Sequence, residues 1–281
     1  MLKLYYLLTK PGIILGNLIT AAAGFALASR GHFNLSLFLV TIIGLGLVIG
    51  SACVLNNYID RKADAMMERT KNRPLARGII SGKKAILFAI FLGITGFAIL
   101  ALYVNILTAL IVLIGFFFYV LLYSFWKYRS SYGTLIGSFA GAVSPVVGYC
   151  GAGNQFDLGA LLLFIILVFW QMPHFFSIAI NHLDEYTAAS IPVLPVKKGV
   201  AVTKKHMILY IIAFIIATSL LTVFGYAGYI YLLVVLLLGF CWLLLCLAGF
   251  KRSNDKLWAH RMFVASLVVL VGFSFTIILL R

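Results

Sequence analysis

Apolar runs of about 17–22 residues recur along this chain, separated by short polar links. A helix needs runs of about that length to cross a hydrocarbon core of roughly 30 Å. Nine such runs are legible, at about 11–29, 36–57, 85–103, 106–126, 133–150, 158–178, 207–226, 228–249 and 262–280. The links are too short to hold a soluble unit, so the pattern predicts one all-α transmembrane domain over residues 1–281. The first run opens at Lys10-Pro11-Gly12 and continues past Gly16 and Asn17 with no convincing cleavage site, so it reads as a retained span.

Two links break the rule of shortness. Residues 58–84 and 181–206 together hold Asp60, Asp64, Glu68, Asp184 and Glu185, five of the seven acidic residues in the chain. The opposite side offers only links such as "GAGNQFD" and "GYAGY". Each long link follows a span of similar character, which suggests two related halves of four helices with a ninth appended. Gly46/Gly50 and Gly137/Gly141 have the spacing that lets helices approach closely in lipid.

Composition agrees: 63% of residues are hydrophobic and only 10% charged, which excludes a water-soluble domain. The net charge of +15 would suit a nucleic-acid binder, but its distribution argues otherwise. Lys and Arg number 2 at the N-terminus and then 8, 2, 4 and 4 in alternate links, with only Arg30 and Arg281 on the other side. That asymmetry is the positive-inside pattern, predicting a cytoplasmic N-terminus and an outer C-terminus. The excess suits anionic lipid headgroups, and with no nucleic-acid motif beside it, no nucleic-acid partner is expected. The four cysteines fall in or at the ends of spans, without metal-site spacing, and read as apolar filler.

The first long link carries the chemistry: "NNYIDRKADAMMERTKNRPLARG". Asn56, Asp60 and Asp64 recur at i, i+4 and i+8, and so share one face of a helix leaving the membrane. Carboxylates at that spacing repel, so they need a counter-ion. Mg²⁺ suits them, because it takes one or two carboxylates and completes its shell with water and phosphate oxygens. Arg61, Lys62, Arg69, Lys71, Arg73 and Arg77 follow, and guanidinium groups grip phosphate oxygens two at a time. The plainer alternative is a solvated helix whose own cations neutralise its acids; the Asn inside an apolar span and the turn at Asn72-Arg73-Pro74 weigh against it. "GIISGKK" lacks the spacing of a Walker phosphate loop.

The second long link follows "FWQMPHFFSIAINHLDEYTAASIPVLPVKKG". Pro173 is expected to kink its helix, and His174, Asn181, His182, Asp184 and Glu185 gather near the exit. Asp184 and Glu185 are adjacent and point apart, so one of them faces the site. A transporter would place ionisable groups near mid-membrane; here they crowd one rim.

Taken together, N-x-x-x-D-x-x-x-D, M-x-R-T-x-x-R-P, W-Q-x-P-H-F and I-P-V-L-P resemble the haem-modifying branch (protoheme IX farnesyltransferases) of the UbiA-type intramembrane prenyltransferases. "YGTLIGS" at 132–138 and "YAGY" at 226–229 extend the resemblance over nearly the whole chain. It implies nine helices around a central cavity open to lipid, with farnesyl diphosphate and Mg²⁺ held beneath the cytoplasmic links and haem B as acceptor. Asn56, Asp60 and Asp64 match the metal–diphosphate motif, and Arg69 and Arg73 the basic positions beside it. Glu185 takes the place of the second metal-side acid, with Asp184 next to it. The chain departs from the family at Asn181-His182, where an aromatic–Arg pair is usual. Lys127 and Arg129 are candidate replacements for that charge, and Lys71 joins the diphosphate cradle. His174 and His182 are candidate haem contacts, and Phe116, Phe117, Phe118 and Tyr119 candidates for steadying an allylic cation. The implied setting is a bacterial-type cytoplasmic membrane, with a terminal oxidase or haem-handling membrane protein downstream. A prenyltransferase acting on a quinone precursor would share the first motif and is the alternative.

Overall fold

The computed structural model describes residues 1–251 and 253–280; Arg252 and Arg281, two of the cations counted above, lie outside the described residues. Every regular element in the described residues is helical. In chain order they are α1 (Leu2–Leu8), α2 (Pro11–Ser29), α3 (Leu35–Asp64), α4 (Gly82–Tyr103), α5 (Ile106–Phe117), a π-helical segment (Phe118–Tyr123), α6 (Ser124–Trp126), α7 (Gly133–Gly153), α8 (Leu158–Asn181), α9 (Leu183–Ala188), α10 (Leu194–Lys198), α11 (Val200–Val223), α12 (Tyr229–Ala248), a 3-10 turn (Gly249–Lys251) and α13 (Asp255–Leu280). Among the described residues, nine helices are long and apolar enough to cross a membrane, with α5, the π segment and α6 forming one of them.

The polar links act as helix caps. Asn34 accepts from the Leu37 N–H at 3.0 Å, Asn105 from Thr108 at 2.8 Å, and Asp157 from Gly159 at 2.9 Å. Each satisfies a first-turn donor that has no partner within its own helix. Spans α7 and α8 are the most deeply buried, whereas α4, α5 and α12 present most of their surface outward, as lipid-facing helices do.

Helices α2 and α7 meet backbone to backbone. A Cβ at Gly148 would lie 1.8 Å from the Ala21 carbonyl oxygen, and one at Gly24 1.9 Å from that of Pro145. No side chain fits at either point, so these glycines bring the first span against the core. The pairs expected from spacing share this role only in part. Gly137 and Gly141 sit tightly against Tyr123 and Gln171, but Gly46 meets its neighbours at ordinary contact distance.

Several boundaries move. Helix α3 runs on to Asp64, which places the whole Asn56/Asp60/Asp64 row on continuous helix. Helix α8 continues with Pro173 inside it to Asn181, three residues beyond the expected end of the run. The seventh span begins at Val200 and takes in Lys204, which is buried: its ammonium donates to the Gly249 carbonyl at 2.8 Å and pairs with Asp255 at 2.5 Å. Of the four cysteines, all of them free, Cys241 is exposed on the outer face of α12.

Candidate active site

Asn56, Asp60 and Asp64 form a row on α3, and all three are buried. Facing them is a second row at the same spacing, Tyr119, Tyr123 and Lys127, which runs from the π segment past α6. The Tyr119 hydroxyl lies 3.4 Å from Asn56 Oδ1. Lys127 Nζ pairs with both oxygens of Asp60, and the Tyr128 hydroxyl donates to Asp60 Oδ1 at 2.8 Å. One step further, Arg73 Nη1 donates to both carboxylate oxygens of Asp64, at 2.9 and 2.8 Å, and to Asn57 Oδ1 at 3.3 Å. Each aspartate therefore carries a cation. Buried carboxylates at i, i+4 would otherwise repel and lose their hydration.

Lys10 completes the group. Its Nζ donates to Asn56 Oδ1 at 2.7 Å, while Asn57 Nδ2 donates to the Leu8 carbonyl at 2.9 Å and ties the N-terminal segment to α3. Burial brings the Lys10 ammonium down to a pKa of about 8, against a raising pull from Cys53. Burial likewise lowers Lys127, against the pull of Asp60.

A second group lies in the loop after α8. Glu185 Oε2 accepts from the Arg69 backbone N–H at 3.2 Å, and Oε1 lies 2.9 Å from His182 Nδ1. Burial alone would raise this carboxyl; the hydrogen bonds from His182 and Arg69 take it below the usual carboxylate value. Glu185 thus turns toward the first loop, whereas Asp184 is exposed. Among the described residues no three His, Cys, Asp or Glu side chains form a cluster able to hold a metal ion by themselves. The Arg69 side chain is exposed, Lys71 pairs with Glu68 at 2.6 Å, and Arg129 stacks on the exposed Phe125 ring at 3.6 Å. Of the two candidate replacement cations, Lys127 points into the site and Arg129 points away.

His174 sits deeper, on α8. Its Nδ1 lies 2.7 Å from Ser266 Oγ of α13, and its ring stacks on Trp170 at 4.8 Å.

The donor set bears on a metal. Two carboxylates on one face, without a third, suit Mg²⁺ held largely through phosphate oxygens and water. The Asn56 Nδ2 donor is buried with no hydrogen-bond partner, which points to a missing acceptor. Sequence reasoning passed over Lys10, Asn57, Tyr123 and Tyr128. Tyr119, Tyr123 and Lys127 repeat the four-residue step of Asn56, Asp60 and Asp64, and that was the available signal.

Among the described residues, an all-helical bundle with nine membrane-length helices and buried carboxylates paired with cations defines an integral membrane enzyme of the intramembrane prenyltransferase type. The chain belongs to the UbiA prenyltransferase family, whose model matches residues 17–267. It is 56% identical to the protoheme IX farnesyltransferase of Protochlamydia amoebophila, over 99% of this chain and 98% of that one. Among solved structures it superposes on a digeranylgeranylglyceryl phosphate synthase with a TM-score of 0.80 at 18% identity, covering 99% and 98% of the two chains. It also superposes on a UbiA homologue from Archaeoglobus fulgidus bound to GPP and Mg²⁺, with a TM-score of 0.70 at 17% identity, covering 98% and 99%.

Proposed function

We infer that this enzyme transfers the farnesyl group of farnesyl diphosphate to a vinyl group of haem B, releasing diphosphate and forming the hydroxyethylfarnesyl haem O. The acceptor follows from the 56% identity to a relative named for that reaction. The observation that carries the site is the pairing of Asp60 with Lys127 and of Asp64 with Arg73. Each cation is within a side-chain swing of trading its carboxylate for a phosphate oxygen.

The C1–O bond of farnesyl diphosphate breaks, and its electron pair leaves with the diphosphate. Lys127, Arg73 and Lys10 stabilise the charge that builds there, a role in which fixed donors act most strongly away from water. The vinyl π electrons then bond to C1, water adds to the resulting cation, and a proton is lost. Bound Mg²⁺ supplies Lewis-acid neutralisation of the diphosphate, and Asp60 and Asp64 are the residues that would hold it. Asn56 offers its unpartnered Nδ2 to a phosphate oxygen. Arg69 and Lys71 supply exposed positive charge at the entrance, and Glu185 with His182 fastens the second loop over the first. His174 contacts the haem.

The topology follows the charge asymmetry: N-terminus and both long loops cytoplasmic, C-terminus outside, in a bacterial-type cytoplasmic membrane. The lipid-soluble product passes to a terminal oxidase or haem-handling membrane protein. The test is direct. Purified protein in lipid nanodiscs is given haem B, farnesyl diphosphate and Mg²⁺, and the products are identified by mass. Haem O is expected. A farnesylated hydroxybenzoate from a parallel reaction, without haem product, would assign the chain to quinone synthesis instead.

A further inference from the structure

Helix α13 packs on α8 at the depth of His174. The rings of His174 and Phe263 lie 5.1 Å apart, and Ser266 Oγ meets His174 Nδ1 at 2.7 Å. As the sixth and ninth spans, the two helices run antiparallel. Seven residues forward from His174 on α8 stands Asn181, and seven back from Phe263 on α13 stands Lys256. Seven residues make nearly two turns, a rise of about 10 Å that returns to within about 20° of the starting face. Both steps therefore follow one seam to one end. There lies a cleft of about 270 Å³ lined by Asn181, Asn254, Lys256, Leu257 and His260.

The cleft is basic, and its charge is not neutralised from within. No acid lines it. Asp255, next to Lys256 in the chain, turns instead toward α11 and pairs with Lys204 at 2.5 Å. Among the described residues no carboxylate pairs with Lys256. Asn254 Oδ1 caps α13 by accepting from the Leu257 N–H at 2.9 Å, so the amide nitrogen is the end left to donate. That nitrogen makes no hydrogen bond among the described residues. A basic rim alone would suit lipid headgroups. What sets this cleft apart is its place on the His174 seam. A second cleft, of about 280 Å³, shares Asn254 and Leu257 and carries Lys251 and Arg261. Arg261 stands about 200° round α13 from Phe263, off that seam.

We propose that the cleft of Asn181, Asn254, Lys256 and His260 is a carboxylate subsite that holds the propionates of the haem acceptor. The inference rests on the reading of haem B as acceptor with His174 against it. A haem carries both propionates along one edge of a flat apolar ring. Their reach from the iron is comparable to the two-turn seam from His174 to the cleft. An ionised carboxylate is costly to bury in hydrocarbon, so that edge belongs at the polar rim while the ring lies along the seam. An ammonium and an amide N–H suit carboxylate oxygens, the first through charge-assisted hydrogen bonds. Fastening this edge leaves the vinyl-bearing part of the ring within the bundle. The subsite thereby selects which edge of the macrocycle is presented to C1 of the prenyl chain.

The experiment titrates haem B, and its dimethyl ester with both propionates neutral, into the purified protein in phosphatidylcholine nanodiscs, read by absorbance. In the parent, esterification should weaken binding by about 30-fold, within the range of charge-assisted hydrogen bonds. The double variant Lys256→Met/His260→Gln should lose about as much toward haem B yet bind the diester within about 2-fold of the parent, the non-additivity of groups in contact. Its farnesyl diphosphate affinity and melting temperature should hold, and Lys256→Arg should retain haem B binding. Equal losses toward haem B and the diester overturn the proposal. So does coupling of the same size in Lys251→Met/Arg261→Met, in the second cleft. The titrations are repeated with phosphatidylglycerol in the nanodiscs. If the variants differ from the parent only there, the cleft holds headgroup phosphates and the proposal falls. A parent that neither binds haem B nor makes haem O removes the acceptor reading and the subsite together. Haem O formation with additive losses removes the subsite alone.

Discussion

Lys10 Nζ lies 2.7 Å from Asn56 Oδ1, and this contact fixes which way the amide points. An ammonium only donates, so the atom it meets must be the carbonyl oxygen. The Asn56 Nδ2 donor is therefore the end left buried and unpartnered. Lys10 reaches this position from a left-handed backbone, φ 53°, directly before Pro11, where that conformation is disfavoured. Strain of this kind persists where the surroundings enforce it, often at functional sites.

The amide orientation separates two roles for Asn56. As a donor to a phosphate oxygen, it is lost in Asn56→Asp, which places a carboxylate against the diphosphate. Affinity for farnesyl diphosphate should fall by about 10²-fold, in keeping with a lost charge-assisted hydrogen bond of roughly 3 kcal/mol. Lys10→Met should weaken binding similarly. Calorimetric titration checks both; unchanged or tighter binding by the Asp variant would make Asn56 a metal ligand through its oxygen.

The Asp64–Arg73 pair yields a stability contrast as well as a catalytic one. The Asp64 side chain is 4% exposed and that of Arg73 28%, so truncating Arg73 leaves a buried, uncompensated carboxylate and truncating Asp64 a half-buried guanidinium. Such losses cost about 3–5 kcal/mol, and removing both partners costs less. Arg73→Met and Asp64→Ala should each lower the melting temperature by several degrees, and the double variant should regain much of it. All three, and Asp60→Ala, should lose at least about 10²-fold in kcat. Near-normal turnover in Asp60→Ala or Asp64→Ala at ordinary Mg²⁺ would remove these carboxylates from the mechanism.

Much of this was legible in the chain because it depends on periodicity. Membrane length set the nine spans, and the four-residue step of Asn56, Asp60 and Asp64 put three polar groups on one face before any coordinates. What the pattern could not supply was partnership across distance. Lys127 meets Asp60 from 67 residues away and Lys10 meets Asn56 from 46, and neither separation has a local signature. The π segment also escaped, since its residues are as apolar as any α-helical span. The spacing that suggested Gly46/Gly50 could not show that the tightest approach lies between Gly148 and Ala21, which needs the packing itself.

Glu185 and Asp184 are adjacent, but only Glu185 bridges to the first loop, through the Arg69 N–H, while His182 of its own loop holds its other oxygen. Glu185→Gln keeps size while removing the charge, so it should weaken the loop closure and cut kcat/KM by about 10-fold or more. Asp184→Asn, on an exposed side chain, should stay near the parent. Steady-state kinetics on farnesyl diphosphate decide between them. A dead Asp184→Asn beside a normal Glu185→Gln would reverse the assignment of this loop.

Ser266 holds the inner edge of the His174 ring. Its hydroxyl lies 2.7 Å from His174 Nδ1 and 2.5 Å from the Phe263 carbonyl oxygen, which fastens Nδ1 to α13. Nε2, at the other edge of the ring, makes no hydrogen bond among the described residues. A neutral imidazole whose other nitrogen is fixed in this way is prepared to bind iron. His182 is less available, because its Nδ1 is engaged by Glu185. His174→Ala should therefore shift the Soret band of haem B bound to the purified protein and weaken haem binding, leaving farnesyl diphosphate affinity unchanged. Ser266→Ala removes the partner that orients the ring and should weaken haem binding by about 10-fold, within the range that outer partners of metal-binding histidines command. Added imidazole should restore the parent spectrum in His174→Ala. An unaltered Soret band in that variant would show that the haem iron does not meet this histidine.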